Sequence, residues 1–437
     1  MKWHSQRFTR RQILQTASLL LAASANATST GEQDRSRSEK VNDQILALPR
    51  NEKVEYGHDT LPSGIRSRYI DNNNGVRMHF LEAGFEDRAR PCVVLLHGFP
   101  ELAYTWRNQL LPLAQAGFHA VAPDLRGYGR SVKAPVKFDD NILPYRLLNR
   151  VSDVLGFVRA IGYEKVAAVV GHDWSSLTAA WCALVRPDVF RSVVLMSTPF
   201  DGTIEYPVET VGSSRKSEAD TDISSGADIQ TQLAALPRPR KHYRWYSASR
   251  GANGDMWHAP QGVHDLLRAL YYFKSADWKG NKPHPLKSWT ATELAKMPTY
   301  YIMDLDKGIA QTMAEEMPSK AEIAACKWMT EKDIEVYSSE YIRTGFQGGL
   351  NLYRIFEAAG DLSVYSGRTI DVPAVYIAGA REWGVYQTPG AFEAMQHGAC
   401  TRLFGVHLVD GAGHSLAEEQ PQRVNQLLTE FLVQAKV

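Results

Sequence analysis

The sequence predicts an α/β protein built on a mostly parallel open sheet that is flanked by helices. Short, wholly apolar segments recur along the chain, and amphipathic segments with helical periodicity separate them. Such apolar segments are typical of parallel strands buried on both faces. The alternation stops after Pro199 and resumes at Ala374. This interruption predicts one sheet domain that carries a mainly helical insert.

The apolar segments give the expected strands in chain order. We predict strands at 78–81, 92–96, 119–122, 166–170, 191–196, 374–378 and 403–409, and helices at 104–116, 147–161 and 421–433. The insert begins with a polar stretch, 212–232, which we expect to be a loop, and continues with aromatic-rich helical periods.

Composition narrows the classes of function. The 437 residues include 49 basic and 48 acidic side chains, and the net charge of +1 gives no electrostatic reason to bind nucleic acid or an anionic membrane. The four cysteines have no paired spacing, so we expect free thiols and neither a disulfide framework nor a zinc site. No pattern in the sequence predicts an oligomeric state. A small, uncharged or weakly charged molecule is the expected partner.

The N-terminus has the pattern of an export signal. Basic residues that include Arg10 and Arg11 precede a short apolar run and an Ala-x-Ala site ending at Ala27. The paired arginines favour the bacterial twin-arginine route, with general secretion as the alternative. The apolar run is too short to span a bilayer, so no stable membrane anchor is expected.

The predicted domain boundaries follow from these patterns. Residues 1–27 are the export signal, and the polar segment 28–53 is a linker. The first half of the sheet domain covers 54–200, the insert 201–365, and the second half 366–437.

Unusual residues follow several of the strands. His-Gly-Phe-Pro-Glu (97–101), Gly-His-Asp-Trp-Ser (171–175), Gly-Ala-Arg-Glu-Trp-Gly (379–384) and Gly-Ala-Gly-His (411–414) each follow an apolar segment. Functional groups gather at the carboxyl ends of parallel strands. These motifs resemble those of the epoxide hydrolase branch of the α/β-hydrolase superfamily. The resemblance covers nearly the whole chain from about Tyr56 onward. The resemblance implies the α/β-hydrolase fold, with the helical insert as a lid.

Asp173 is the candidate nucleophile. A strand–turn–helix elbow places such a residue in a strained, accessible position and requires small neighbours two residues away on either side. Gly171 meets this requirement, and Ser175 stands where glycine is common. Taken alone, an aspartate at the end of a strand is more often a helix cap. The remaining motifs favour the nucleophile.

The resemblance also implies an acid and then a histidine in chain order. His414, in the Gly-Ala-Gly-His turn, is the candidate base, and Glu382 is the acid that orients it. Asp410 is the alternative acid, since aspartate is commoner than glutamate in this role. His97 and His172 lie beside motif glycines on tight turns, and we interpret both as scaffold residues.

The resemblance assigns further roles near Asp173. The backbone N–H groups of Phe99 and Trp174 are the expected oxyanion hole, and the Phe99–Pro100 bond is expected to be cis. Two lid tyrosines are expected to donate to the epoxide oxygen. Tyr353, in the segment 341–354, is the first of them.

The second lid tyrosine lies in the segment Lys-His-Tyr-Arg-Trp-Tyr (241–246). Tyr243 is the preferred candidate and Tyr246 the runner-up. Trp174, Tyr246 and Phe346 are the expected pocket walls.

Together these residues predict a hydrolase that opens a small hydrophobic epoxide to a vicinal diol through an aspartyl ester, without a metal or organic cofactor. A haloalkane dehalogenase is the closest alternative, although Phe99 stands where those enzymes commonly carry asparagine. A noncatalytic ligand-binding member of the fold is a second alternative.

Overall fold

The computed structural model describes residues 60–203, 226–355 and 362–436. An eight-stranded sheet organises these residues. The predicted export signal (1–27) and linker (28–53) lie outside the described residues. Residue 54, where the sheet domain is predicted to begin, lies outside them as well. None of the described helices is long and apolar enough to cross a bilayer. All four cysteines are free thiols.

The strands are β1 (Arg66–Asp71), β2 (Arg77–Ala83), β3 (Cys92–Leu96), β4 (His119–Pro123), β5 (Ala168–His172), β6 (Val193–Met196), β7 (Arg240–His242), β8 (Ile302–Asp304), β9 (Ala374–Gly379) and β10 (Leu403–Val409). The large sheet has the order β1-β2-β4-β3-β5-β6-β9-β10. Every neighbouring pair from β4 to β10 is parallel, whereas β2 is antiparallel to both β1 and β4. The predicted mostly parallel sheet is confirmed.

The helices are α1 (Arg107–Gln115), α2 (Leu147–Ala160), α3 (Trp174–Val185), α4 (Gly226–Ala234), α5 (Tyr243–Ala248), α6 (Ala252–Trp257), α7 (Gly262–Lys274), α8 (Ala291–Leu294), α9 (Ile309–Glu315), α10 (Lys320–Ala325), α11 (Glu331–Thr344), α12 (Gln347–Arg354), α13 (Ala391–Ala394), α14 (Leu416–Glu419) and α15 (Pro421–Ala435).

The sheet separates two hydrophobic cores because successive side chains of a strand point to opposite faces. In β3, Val93 and Leu95 pack into one core, and Cys92, Val94 and Leu96 pack into the other. All five residues are buried, as the uninterrupted apolar segment predicts. Helices α1 and α15 cover the first face, and α2 and α3 cover the second.

The insert between β6 and β9 is mainly helical, as expected, and it also contains the antiparallel pair β7–β8. One local expectation is wrong: residues 226–232 belong to helix α4 and not to a loop. Ile229 and Leu233, four residues apart, are buried on one side of α4, and this stripe anchors a segment whose composition is otherwise polar. The exact boundaries at 201 and 365 stay a prediction.

Buried hydrogen bonds attach the insert to the sheet domain beside the His-Gly-Phe-Pro-Glu loop. The hydroxyl of Tyr271 on α7 donates to the carbonyl oxygen of Pro100 at 2.9 Å, and that of Tyr341 on α11 donates to the carbonyl oxygen of Glu101 at 3.3 Å. Arg107 pairs with Glu418 and lies 3.2 Å from the carboxylate of Asp333 on α11. The insert is thereby held over the carboxyl ends of the strands.

Candidate active site

Asp173 occupies a sharp turn between β5 and α3. Its backbone has φ 53° and ψ −124°, a left-handed conformation that is strained for any residue other than glycine. The turn brings α3 against β5 so closely that a Cβ at Gly171 would lie 1.9 Å from the carbonyl oxygen of Ser175. Ser175 is accommodated because its hydroxyl turns away and donates to the carbonyl oxygen of His97 at 2.5 Å.

A backbone N–H group contacts the Asp173 carboxylate at the start of α3. The N–H of Phe99 donates to its Oδ2 at 3.2 Å, and the Phe99–Pro100 bond is cis, as the resemblance implies. Trp174 is the first residue of α3, where backbone N–H groups have no acceptor within the helix. The N-terminus of a helix also favours a negative charge beside it.

His414 and Glu382 form a buried pair after β10 and β9. Nδ1 of His414 donates to Oε1 of Glu382 at 2.6 Å, and the two residues are 4% and 2% exposed. This leaves Nε2 of His414 buried and without a hydrogen-bond partner among the described residues. Asp410, the alternative acid, is exposed to solvent. The arrangement orients the imidazole so that its Nε2 is directed away from the glutamate.

A second buried pair connects the His414 loop to the nucleophile turn. His172, which precedes Asp173, donates through Nε2 to the carbonyl oxygen of His414 at 2.8 Å and through Nδ1 to the carboxylate of Glu101 at 2.9 Å. Both acceptors lack protons, so both ring nitrogens carry one and His172 is an imidazolium. The His414 backbone is thereby bonded to the residue that immediately precedes Asp173.

Burial and the ion pair compete over the ionisation of His172 and Glu101. Burial opposes the charged form of His172, but the charge of the Glu101 carboxylate and its hydrogen bond raise the pKa of His172 to about 9. Burial also opposes the charged form of Glu101, but His172 lowers the pKa of that carboxyl to about 2. The pair is therefore charged at neutral pH.

His97 fixes the preceding turn. Its Nε2 accepts the backbone N–H of Leu125 at 3.1 Å, so its Nδ1 carries the proton and donates to the carbonyl oxygen of Gly98 at 2.9 Å. Both ring nitrogens are thus used by the backbone. This arrangement agrees with a scaffold role.

One group of side chains has the spacing of a metal site. Ligand atoms of Glu101, His172 and His414 lie within 4.8 Å of one another. Both nitrogens of His172 carry protons that are held by oxygen acceptors, whereas a histidine must offer a deprotonated nitrogen to a metal. The hydrogen-bonding pattern therefore fits an ion pair better than a metal site.

Two lid tyrosines meet beside Trp174. The ring of Tyr353 on α12 lies edge-to-face with that of Trp174, at 5.2 Å between centroids, and 5.7 Å from the ring of Tyr243 on α5. Phe99 contacts Tyr353 from the other side at 5.8 Å. Burial raises the pKa of Tyr353 well above its ordinary value, and the charges of Tyr243 and Asp173 add to this effect. Burial likewise raises the pKa of Tyr243. Both phenols therefore keep their protons at neutral pH and can donate them.

The two candidates for the second tyrosine have different surroundings. The hydroxyl of Tyr243 donates to Gln387 at 3.3 Å, and its ring contacts Tyr353. The hydroxyl of Tyr246 donates to Asp255 at 2.6 Å, and the ammonium of Lys241 lies 4.7 Å from its ring centroid. The expectation that Tyr246 lines the pocket finds no support, because the hydrogen bond to Asp255 directs its hydroxyl into the insert.

Phe346, the third expected wall residue, is fully buried. It lies edge-to-face with Phe99 at 6.4 Å and is stacked on Tyr341 at 4.4 Å. Phe346 therefore packs against the Phe99 ring.

Sequence reasoning missed Lys274 and Ser197. Lys274 ends α7; its carbonyl oxygen accepts the N–H of His414 at 3.0 Å, and its Nζ lies 5.7 Å from the ring centroid of Tyr301. Burial lowers the pKa of Lys274, and the charges of Asp173, Glu382 and Glu101 oppose that shift. Ser197 follows β6 and donates a hydrogen bond to Oε1 of Glu382. Neither residue lies in a recognisable motif.

The fold and this site define a class of hydrolase, and comparison with known proteins agrees. A family model described as the alpha/beta hydrolase fold matches residues 91–215. Epoxide hydrolase B of Mycobacterium tuberculosis is 32% identical over 374 residues, which are 83% of this chain and 97% of that protein. The chain belongs to the epoxide hydrolase family of this fold.

Solved structures give the same result. An epoxide hydrolase from an endophytic Streptomyces is 31% identical, with a TM-score of 0.66 over 85% of this chain and 96% of that one. Potato (Solanum tuberosum) epoxide hydrolase I is 27% identical, with a TM-score of 0.64 over 85% of this chain and 99% of that one.

The Glu101–His172 pair predicts a specific pH dependence of stability. The folded-state pKa of His172, about 9, lies above its ordinary value of 6.5, so its contribution is complete below about pH 6.5 and is lost as the pH rises through 9. Glu101 contributes fully above about pH 4.5 and loses that contribution as the pH falls through 2.

We therefore compare the unfolding free energy of the wild type with that of a Glu101→Gln/His172→Gln double variant. The wild type should be the more stable at pH 6.5, and its advantage should fall by roughly a few kcal/mol between pH 6.5 and 9.5. Urea denaturation across this range measures the difference. The double variant is the matched reference because it removes both charges together. A difference that stays constant over the range would contradict the ion pair.

Proposed function

We propose that the protein hydrolyses an epoxide to a vicinal diol through a covalent ester on Asp173. The observation that carries this proposal is the meeting of the Tyr353 and Tyr243 rings beside Trp174, next to an aspartate at the elbow. An ionised carboxylate attacks saturated carbon, which a serine hydroxyl does not do readily. Two neutral phenols can protonate an oxygen that stays attached to the product.

In the first step an Oδ atom of Asp173 forms a bond to one epoxide carbon, and the bond from that carbon to the ring oxygen breaks. The oxygen takes up a proton from Tyr353 or Tyr243, which donate from the lid side. Because the oxygen remains tethered to the second carbon, the product of this step is a hydroxyalkyl ester. The raised pKa of both tyrosines keeps the proton available until the alkoxide forms.

In the second step His414 takes a proton from water through Nε2, and the resulting hydroxide attacks the carbonyl carbon of the Asp173 ester. Glu382 accepts from Nδ1 and stabilises the imidazolium that forms. The N–H groups of Phe99 and Trp174 stabilise the oxyanion; the hydrogen bond from the Phe99 N–H to an Asp173 carboxylate oxygen supports this role for Phe99. Collapse of the intermediate breaks the bond to the diol oxygen, which takes up the proton of the attacking hydroxyl group, and restores the carboxylate. His414 then gives up its proton, and the tyrosinate left by the first step regains one.

The surrounding side chains favour a small hydrophobic epoxide. Phe99, Trp174 and the two tyrosines present aromatic surface around the nucleophile. A haloalkane dehalogenase needs N–H donors for the halide, and Phe99 offers only its backbone N–H. Haloalkanes therefore serve as the comparison substrates.

Replacement of the base should separate the two steps. We expect a His414→Gln variant to acquire the mass of one epoxide molecule on incubation with an epoxide panel, and to release diol at least about 100-fold more slowly than the wild type, because water is no longer activated. Intact-protein mass spectrometry and diol quantification measure both. An Asp173→Ala variant is the control and should gain no adduct. If the wild type converted haloalkanes but no epoxide to product, the proposal would be wrong.

The two candidate lid tyrosines provide a matched pair of variants. We expect Tyr353→Phe and Tyr243→Phe each to reduce the rate of ester formation about 100-fold, since each loses a donor to the epoxide oxygen. Tyr246→Phe, three residues from Tyr243 on the same helix, should change the rate less than about 2-fold, because its hydroxyl is bound to Asp255. Rapid-quench kinetics measure the rate of ester formation in the three variants. Equal losses at Tyr243 and Tyr246 would overturn the assignment.

We also propose that residues 1–27 direct export by the twin-arginine route, on the pattern of Arg10 and Arg11 before an apolar run. Replacement of both arginines by lysine should retain the protein inside a bacterial host that secretes the wild type. Cell fractionation measures this, and unchanged export would favour general secretion.

A further inference from the structure

Ser197 occupies a strained position that its surroundings enforce. It follows β6 with φ 73°, in the left-handed region, and is fully buried. A non-glycine residue in this region costs free energy. Its backbone is held from β9 on both sides: its N–H donates to the carbonyl oxygen of Ile377 at 3.1 Å, and its carbonyl oxygen accepts from the hydroxyl of Tyr376 at 2.6 Å.

The strained backbone directs the Ser197 hydroxyl at the acid of the site. Its Oγ donates to Oε1 of Glu382, the same oxygen that accepts from His414, and lies 3.4 Å from Nδ1 of His414. The space beside this oxygen exists because residue 384 is glycine: a Cβ there would lie 2.6 Å from Oε1 and 3.1 Å from the serine Oγ. The three polar groups and the glycine form one enclosed niche.

The carboxylate of Glu382 depends on this niche for its orientation. Its second oxygen, Oε2, is buried and has no hydrogen-bond partner among the described residues. The donors from Ser197 and His414 therefore both act on Oε1. A glutamate also has one more rotatable bond than an aspartate, so a single hydrogen bond would restrict its position less.

We propose that Ser197 is a positioning residue for the second half of the reaction. Its hydroxyl fixes the Glu382 carboxylate, which keeps the proton of His414 on Nδ1 and leaves Nε2 free to accept a proton from water. The inference rests on the proposed function for its kinetic consequence. The described hydrogen bonds of the Ser197 hydroxyl go to Glu382 and His414 and not to Asp173 or the lid tyrosines, so we expect ester formation not to depend on that hydroxyl.

The kinetic test separates the two half-reactions. In single-turnover experiments with an epoxide that the wild type converts, followed by intact-protein mass spectrometry, we expect Ser197→Ala to form the ester at the wild-type rate within about 2-fold and to hydrolyse it about 10-fold more slowly. Ser197→Gly lacks the hydroxyl but relieves the backbone strain, so it should show the same loss. A loss in Ser197→Ala that Ser197→Gly does not share would assign the effect to packing and overturn the proposal.

Ser192→Ala is the matched control. Ser192 is a fully buried serine that immediately precedes β6, and its hydroxyl donates to the carbonyl oxygen of Ala167 at 2.8 Å, at the opposite end of the strand from Ser197. Both half-reactions should be unchanged in this variant. Thermal unfolding of all three variants establishes that each is folded at the assay temperature.

A substrate-free measurement keeps the proposal distinct from the proposed function. The buried Nδ1–H of His414 should give a far-downfield proton NMR signal in the wild type, identified by its loss in His414→Gln. Ser197→Ala should shift or broaden this signal, and Ser192→Ala should leave it in place. An unchanged signal in Ser197→Ala would overturn the positioning role. If no epoxide formed an adduct with the wild type, the proposed function would fail, and the NMR result would still decide the role of Ser197.

Discussion

The close approach of α3 to β5 is the constraint on which the site depends. The Gly171 position admits no side chain because the backbone of Ser175 lies against it, and this contact forces Asp173 into a left-handed turn. The turn presents the carboxylate at the helix N-terminus and within reach of the Phe99 N–H. A looser elbow would let Asp173 relax into an ordinary helix cap and move its carboxylate away from the Phe99 N–H.

Buried charge is the second feature that the fold must support. The charges of Glu101, Glu382 and Asp173 all act on His172 and raise its pKa, and an isolated buried carboxylate is costly. The imidazolium of His172 offsets that cost. His172 also ties the nucleophile turn to the His414 loop, so the same hydrogen bonds that compensate charge fix the catalytic geometry. His172 therefore both compensates the buried negative charge and holds the two loops together.

Most of the sheet could be predicted from the sequence, because wholly apolar segments such as 92–96 have few alternatives to a strand buried on both faces. The edge strand β1 could not, since its side chains are mostly exposed and show no such segment. Helix α4 was missed because two apolar residues, Ile229 and Leu233, anchor an otherwise polar stretch. The pair β7–β8 has three residues in each strand, too few for a period to be visible.

At the candidate site, motifs predicted Asp173, Phe99, His414 and Glu382, because each follows a strand within a recognisable motif. The choice between Tyr243 and Tyr246 needed tertiary structure, since both residues occupy one short helix and only the contact with Tyr353 or Asp255 distinguishes them. The proposed role of Ser197 could not be predicted from the sequence. It depends on a backbone angle and on Glu382, which is 185 residues away along the chain.

The proposed mechanism requires that Asp173 become covalently attached to the substrate before water enters the product. A single turnover in ¹⁸O-labelled water, with epoxide limiting, tests it directly. After proteolysis, mass spectrometry of the peptide that contains Asp173 should show one ¹⁸O atom in its carboxylate, and the first diol released should contain no ¹⁸O. An unlabelled Asp173 together with labelled diol from that first turnover would show direct attack by water and contradict the account.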